Sequence, residues 1–163
     1  MIIRKMEKSD IEQVVDINVS CWKRVYKGMI ADEFLDSIDR EQRIKKILER
    51  YGEFPYIVAD NGKEVVGFCR YGDSRENEDY DSEIVALYVY PDMLKQGIGS
   101  LMFNFVVKEF KKQGKKKMII WCLKENDNAR GFYEKMGGTL IGEKLKQIGE
   151  KSYMEVAYGY QIG

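Results

Sequence analysis

The chain contains no histidine. That excludes Ser-His-Asp and Cys-His nucleophilic catalysis, histidine-based zinc sites and a histidine general base. Proton transfer is left to Asp, Glu, Tyr, Lys, Cys or water. Proline is scarce, at two residues among 163, and with 44% hydrophobic residues this argues against a disordered chain. Neither sign of charge is in excess. The 27 Lys and Arg balance the 27 Asp and Glu, so no overall field recruits nucleic acid or an anionic membrane. No apolar run approaches the ~20 residues that a spanning helix needs. The opening MIIRKMEKSD turns charged too soon for a secretory leader. Cys21, Cys69 and Cys122 are odd in number and far apart, in no metal-binding spacing, which fits a reducing cytoplasm and predicts no metal.

What is present reads as one domain over residues 1–163, with no repeat, linker or low-complexity tract. Ile2 to Met6 predict an opening strand. Ser9 and Glu12 have the spacing of a capping box, and Ile11, Val14, Val15, Trp22 and Tyr26 follow at roughly helical intervals. A second helical region runs from about Ala31 to Arg50, broken near Ser37 to Asp39. FPYIVAD and KEVVGFCRYG flank a tight Asn-Gly turn and predict a hairpin. EIVALYVY predicts a buried strand stopped by Pro91. Ile98, Leu101, Met102, Phe105 and Phe110 mark one face of a helix that ends near Gly114. KMIIWCL is a strand, DNARGFYEKMG a short helix, and TLIGEKLKQIG with KSYMEVAYGY a closing antiparallel pair. The order β, α, α, β, β, β, α, β, α, β, β predicts an α/β sandwich on a mixed sheet, not a regular doubly wound fold.

Two glycines, Gly97 and Gly99, stand where a strand and a proline-bearing loop give way to a helix. A helix start offers unpaired N–H groups and the positive end of the dipole, and glycine lets an anion approach them with no Cβ in the way. The stretch is not a P-loop, since Ile98, Gly99, Ser100 and Leu101 follow Gly97. A dinucleotide fingerprint lacks its third glycine, because Met102 stands there. A purely structural use of both glycines stays open. Lys111, Lys112, Lys115, Lys116 and Lys117 read as a solvated face at a helix C-terminus.

The stretch ALYVYPDMLKQGIGSLMF resembles the acetyl-coenzyme A signature of the GCN5-related N-acetyltransferases (GNAT), a strand followed by [QR]-x-x-G-x-[GA] at a helix start. Gly97 and Gly99 match, and Leu94 departs from the usual Gln or Arg. A second signature, N-x-x-A-x-x-F-Y-x-x-x-G-F, matches at Asn126, Ala129, Phe132, Tyr133 and Gly137, with Gly138 in place of the final Phe. The resemblance implies a GNAT fold: a mixed, mostly antiparallel sheet of about seven strands, splayed between the fourth and fifth and flanked by about four helices. It implies a cytoplasmic N-acetyltransferase that uses acetyl-CoA as cosubstrate.

Site residues follow from the same resemblance. Backbone groups of Leu87, Tyr88 and Val89 would pair with pantetheine. The pyrophosphate would lie on amides of Lys95, Gln96, Gly97, Ile98, Gly99 and Ser100. Asn126 and Arg130 neighbour the coenzyme, although Asn126 serves equally well as an N-cap. Tyr133 would protonate the departing thiolate, since a phenol near pKa 10 is protonated at neutral pH. Glu83 would accept the amine proton, directly or through water. The spacing W-x-x-x-Y-x-G at Trp22, Tyr26 and Gly28 resembles a bacterial subset that includes polyamine acetyltransferases. Its aromatics, with Asp32, Glu33, Asp36 and Asp39, suit a cationic amine; simple packing of Trp22 on Tyr26 is the equal alternative. The acceptor is then a small amine such as a polyamine, or a protein N-terminus or lysine, with no nucleic-acid or membrane partner. The C-terminal hairpin leaves room for a homodimer. The rival reading is a catalytically silent acyl-CoA-binding sensor.

Overall fold

Seven strands lie in one sheet in a computed structural model that describes residues 1–163: β1 (Ile2–Lys5), β2 (Tyr56–Asp60), β3 (Val65–Gly72), β4 (Ser82–Val89), β5 (Lys117–Leu123), β6 (Thr139–Ile148) and β7 (Lys151–Gln161). Their spatial order is β1-β2-β3-β4-β5-β7-β6. Every pairing is antiparallel except β4 with β5. Five α-helices cover the sheet: α1 (Ile11–Val25), α2 (Asp32–Asp36), α3 (Arg40–Glu49), α4 (Ile98–Lys112) and α5 (Asp127–Lys135). The count exceeds the expected four because the 31–50 region divides. Asp39 accepts the Gln42 N–H and caps α3, so its carboxylate is spent on a helix start.

The apolar residues of α1 (Ile11, Val14, Val15, Ile17, Cys21) pack with Val58, Val65 and Phe68 on one face of the sheet. Met102, Phe103, Val106 and Phe110 of α4 pack with Ile57, Ile84, Met118 and Tyr158 on the other. Burying side chains of this size is worth roughly 1.5–3 kcal/mol each. A third, smaller cluster of Ile30, Leu35, Leu123 and Ile148, with Trp22, Tyr26 and Phe34 against it, ties the segment after α1 to the β6–β7 hairpin.

Two local readings of the sequence are corrected. The cap ahead of α1 is not Ser9 with Glu12. Asp10 accepts the Glu7 N–H at 2.7 Å and two hydrogen bonds from Arg4 of β1, so a tertiary partner selects the acid used. The β2–β3 connection is not a two-residue Asn-Gly turn. Asp60 pairs with Val65, and the Asn61 side chain accepts the Lys63 and Glu64 N–H groups inside a four-residue loop.

One irregularity sets the geometry of the centre. Arg70 pairs with Ala86 and Tyr71 with Ile84, so Val85 is an extra residue in β4, a bulge. Beyond it the alternation shifts: Leu87 and Val89 pack towards α4, while Ala86 and Tyr88 pack towards α1. On the other side, β4 pairs with β5 only from Ser82 to Ile84, opposite Met118 to Ile120. From Val85 onward the two strands part and a V-shaped cleft opens, as expected for a sheet splayed at this junction.

Candidate functional site

The loop from Leu94 to Ser100 is built around two left-handed residues. Lys95 has φ 62° and Gly97 has φ 83°. Successive left- and right-handed residues turn consecutive N–H groups to the same side, an anion-binding concavity. No N–H from Lys95 to Ser100 finds an acceptor within the chain. The first to do so is Leu101, which donates to the Gly97 carbonyl at 3.1 Å. Six amides without a partner thus lie together at the positive end of α4. The glycines do different work. Gly97 supplies the left-handed turn and has nothing where a Cβ would stand, whereas Gly99 faces Phe132 of α5, 3.4 Å from its Cβ position.

Leu87, Tyr88 and Val89 lie on the part of β4 that has left β5, so their β5-facing backbone groups have no strand partner. Across the cleft, α5 carries the second signature. Asn126 is its N-cap, accepting the Ala129 N–H at 3.2 Å. Arg130 is held at home: Nε donates to the Tyr158 hydroxyl at 2.9 Å, and that hydroxyl donates to Glu134 at 2.8 Å.

Tyr133 is buried, with 7% of its surface exposed, yet its hydroxyl bonds to no protein group and is not sealed from solvent. Burial pushes its pKa well above the ordinary phenol range, with Cys122 and Tyr88 adding to the rise, so the proton stays on. Its backbone is fixed from behind. The Tyr133 carbonyl accepts the Tyr160 hydroxyl at 2.7 Å and the Gly138 N–H at 3.0 Å. That bond explains the departure at Gly138: a Cβ there would stand 2.7 Å from the Tyr160 oxygen, so the space of the missing Phe is taken by β7. Cys122 nearby is pushed to about 12, and Cys21 likewise, both by burial. Neither thiol is poised to form an acyl intermediate.

On the α1 side the Tyr26 and Tyr88 hydroxyls are hydrogen-bonded at 3.1 Å. Burial raises the pKa of both, and Tyr133 contributes to the rise at Tyr26, which places three neutral phenols around one region. Trp22 meets Tyr26 edge-on at 4.9 Å, but the Arg43 guanidinium lies 5.1 Å over its indole. One aromatic face expected for an acceptor amine is therefore occupied by the protein's own cation. Asp32, Glu33 and Asp36 are exposed on α2, whose Phe34 packs against Trp22 at 5.8 Å.

Glu83 lies on the β4 face opposite Ile84 and is 2% exposed. Its carboxylate accepts the Arg75 N–H at 3.1 Å and Nη2 at 2.7 Å. Arg75 belongs to the polar loop between β3 and β4, where no motif or periodicity singles it out. Nor did the sequence point to the Tyr88 side chain, whose direction depends on the Val85 bulge. The structure brings together the Gly97 loop, the free edge of β4, Tyr133, Tyr26 and Tyr88. It leaves Asn126 and Arg130 engaged in the fold.

Residues 11–138 match the family described as "Acetyltransferase (GNAT) family". The chain is 24% identical over 159 residues to the uncharacterized N-acetyltransferase YuaI of Bacillus subtilis, covering 97% of this chain and 91% of that one. It is 23% identical over 142 residues to the spermidine N(1)-acetyltransferase of Thermoplasma acidophilum, covering 83% and 86% of the two chains. Its fold matches the crystal structure of the PaiA N-acetyltransferase from Thermoplasma acidophilum in complex with coenzyme A. There the TM-score is 0.75 at 23% identity, over 94% of this chain and 96% of that one.

Proposed function

The chain belongs to the acetyltransferase (GNAT) family, and from that premise we propose that it moves the acetyl group of acetyl-CoA to a primary amine by direct attack in a ternary complex. The observation that carries this reading is the run of bare amides from Lys95 to Ser100 at the head of α4, beside the unpaired edge of β4. A pyrophosphate fits the first and an extended pantetheine amide chain fits the second. Lys95, Gln96, Gly97, Ile98, Gly99 and Ser100 hold the one; Leu87, Tyr88 and Val89 hold the other. Asn126 and Arg130 act at the rim and chiefly keep α5 in place.

In the reaction the amine nitrogen bonds to the acetyl carbon and the C–S bond breaks. Tyr133 gives its proton to the departing sulfur, and the nitrogen gives up a proton towards Glu83, directly or through water. An alkylamine of pKa near 10.4 must lose that proton to attack. Arg75 favours the ionised form of Glu83, so taking up a proton weakens that ion pair and the loop carrying Arg75 tunes the base. Holding both reactants in one cleft removes the entropy of their encounter. Trp22, Tyr26 and the Tyr88 hydroxyl line the acceptor side, where a polyamine or other small amine is the acceptor of choice; a relative named as a spermidine acetyltransferase supports that choice.

The test is acetyl-CoA-dependent thiol release over a panel of polyamines, amino acids and lysine or N-terminal peptides. Tyr133→Phe is expected to lower kcat by roughly a hundredfold, with coenzyme A affinity retained. Glu83→Gln is expected to lower it by a similar factor. The sensor reading has one observation on its side, the grip of Arg75 on Glu83. Tight coenzyme A binding with no turnover on any amine would decide for it.

A further inference from the structure

Glu155 stands on β7 opposite Leu123 of β5 and Lys144 of β6. Its neighbour Val156 packs into the core beneath α4. Alternation therefore turns Glu155 to the opposite face, where α1 lies. Two contacts place that spot. Leu123, directly across, belongs to the cluster against which Trp22 and Tyr26 pack. Tyr153, two residues earlier on the same face, accepts a hydrogen bond from the Ala31 N–H at 2.9 Å, tying β7 to the segment after α1. Glu155 thus lies one strand from the cleft, past the level where β4 leaves β5, on the face that carries α1.

It is half-buried and its carboxylate is in no ion pair, although two cations are at hand. Both are committed elsewhere. Lys144, its direct cross-strand neighbour, pairs with Glu76 and lies 4.2 Å over the Trp121 ring. Arg75 pairs with Glu83 at 2.7 Å. Glu155 is nonetheless close enough to reinforce the rise in the Arg75 pKa that begins with the Glu83 hydrogen bond and includes the charge of Glu76. A partly desolvated carboxylate is unfavourable without a counter-charge. Here the fold supplies the cations and gives each to another acid.

We propose that Glu155 receives the positive charge of the acceptor and so selects a cationic alkylamine, a diamine or polyamine, over an α-amino acid. A diamine brings the missing ammonium to Glu155. An α-amino acid carries its own carboxylate beside its amine and sets a second negative charge against the same site. The inference rests on the acetyltransferase reading for its kinetic test, but it also has a test that needs no turnover.

Wild type, Glu155→Gln and Glu155→Asp are compared with spermidine, 1,4-diaminobutane and L-methionine at saturating acetyl-CoA. For Glu155→Gln the KM of spermidine and of 1,4-diaminobutane is expected to rise roughly ten- to a hundredfold, the loss of one charged hydrogen bond. The kcat and the KM for acetyl-CoA should hold. Glu155→Asp keeps the charge and should recover part of the loss, which separates charge from damage to the fold. Calorimetric titration of spermidine into the enzyme–coenzyme A complex should show binding to wild type and its loss in Glu155→Gln. Unchanged polyamine KM in Glu155→Gln, a wild-type preference for L-methionine, or no spermidine binding by wild type would each overturn the inference. Glu155-dependent spermidine binding without thiol release would instead overturn the acetyltransferase reading and leave Glu155 standing. Thiol release indifferent to Glu155 would do the reverse.

Discussion

Gly97 and Gly99 are one residue apart, yet they constrain the chain in unrelated ways. At Gly97 the backbone is left-handed, which costs an L-residue about 1–2 kcal/mol. At Gly99 it is helical, and an added methyl would make ordinary contact with Phe132 at 3.4 Å. Gly97→Ala is therefore expected to lose about 1 kcal/mol of stability and to weaken coenzyme A binding as the amide array turns away. Gly99→Ala should leave stability unchanged or slightly higher, because alanine is the better helix former. Paired thermal melts and coenzyme A titrations check both. Equal losses in the two variants would mean that the loop conformation is not what binds. Both glycines were legible as a site because their job concerns the backbone within their own turn. Gly138 was legible only as a departure. Its reason is the Tyr160 hydroxyl, 22 residues on in sequence and brought there by β7.

At the level of elements, the junction of β1 and α1 shows how a tertiary partner overrides local spacing. Ser9 and Glu12 have the right separation for a cap, but Arg4 and the Glu7 N–H converge on Asp10 instead. The hydrogen bond from Arg4 holds the Asp10 carboxyl below its usual range against the opposing effect of burial. The fold thus favours the ionised form, and the stability it contributes is present above the unfolded value of about 3.9 and lost as pH falls through the lower, folded value. Asp10→Asn should destabilise the protein by about 1–3 kcal/mol at pH 7, and the gap should narrow near pH 3. Urea titrations at the two pH values test this; a constant gap would show that charge is not the cause. The same lesson governs the site. The order of elements was readable from periodicity and turns. Which side of the sheet Tyr88 faces was not, because the single extra residue Val85 reverses every position after it. The partner of Glu83 was not legible either, because Arg75 stands in a polar loop with no periodicity of its own.

At the scale of the whole molecule, the sheet is joined across its middle by only three residue pairs, Ser82 to Ile84 with Met118 to Ile120. Among the contacts that hold the halves together, two flank the opening. Phe103 and Phe132 meet edge-to-face at 6.2 Å between α4 and α5, and Ile30 and Leu35 pack with Leu123 and Ile148 on the opposite face. The opening between β4 and β5 is therefore closed at its narrow end and spanned on both faces near its wide end. The array of bare amides lies at the head of α4, while Tyr26, Tyr88 and Glu155 lie on the side of α1. A passage of this kind has two doors. If the two ends serve the donor and the acceptor as proposed, these need not pass one another, and neither has to leave before the other enters. Coenzyme A should accordingly inhibit competitively against acetyl-CoA and non-competitively against the amine, as initial-rate measurements at several fixed concentrations will reveal. An acetylated amine can leave by its own door while the spent thiol still occupies the other.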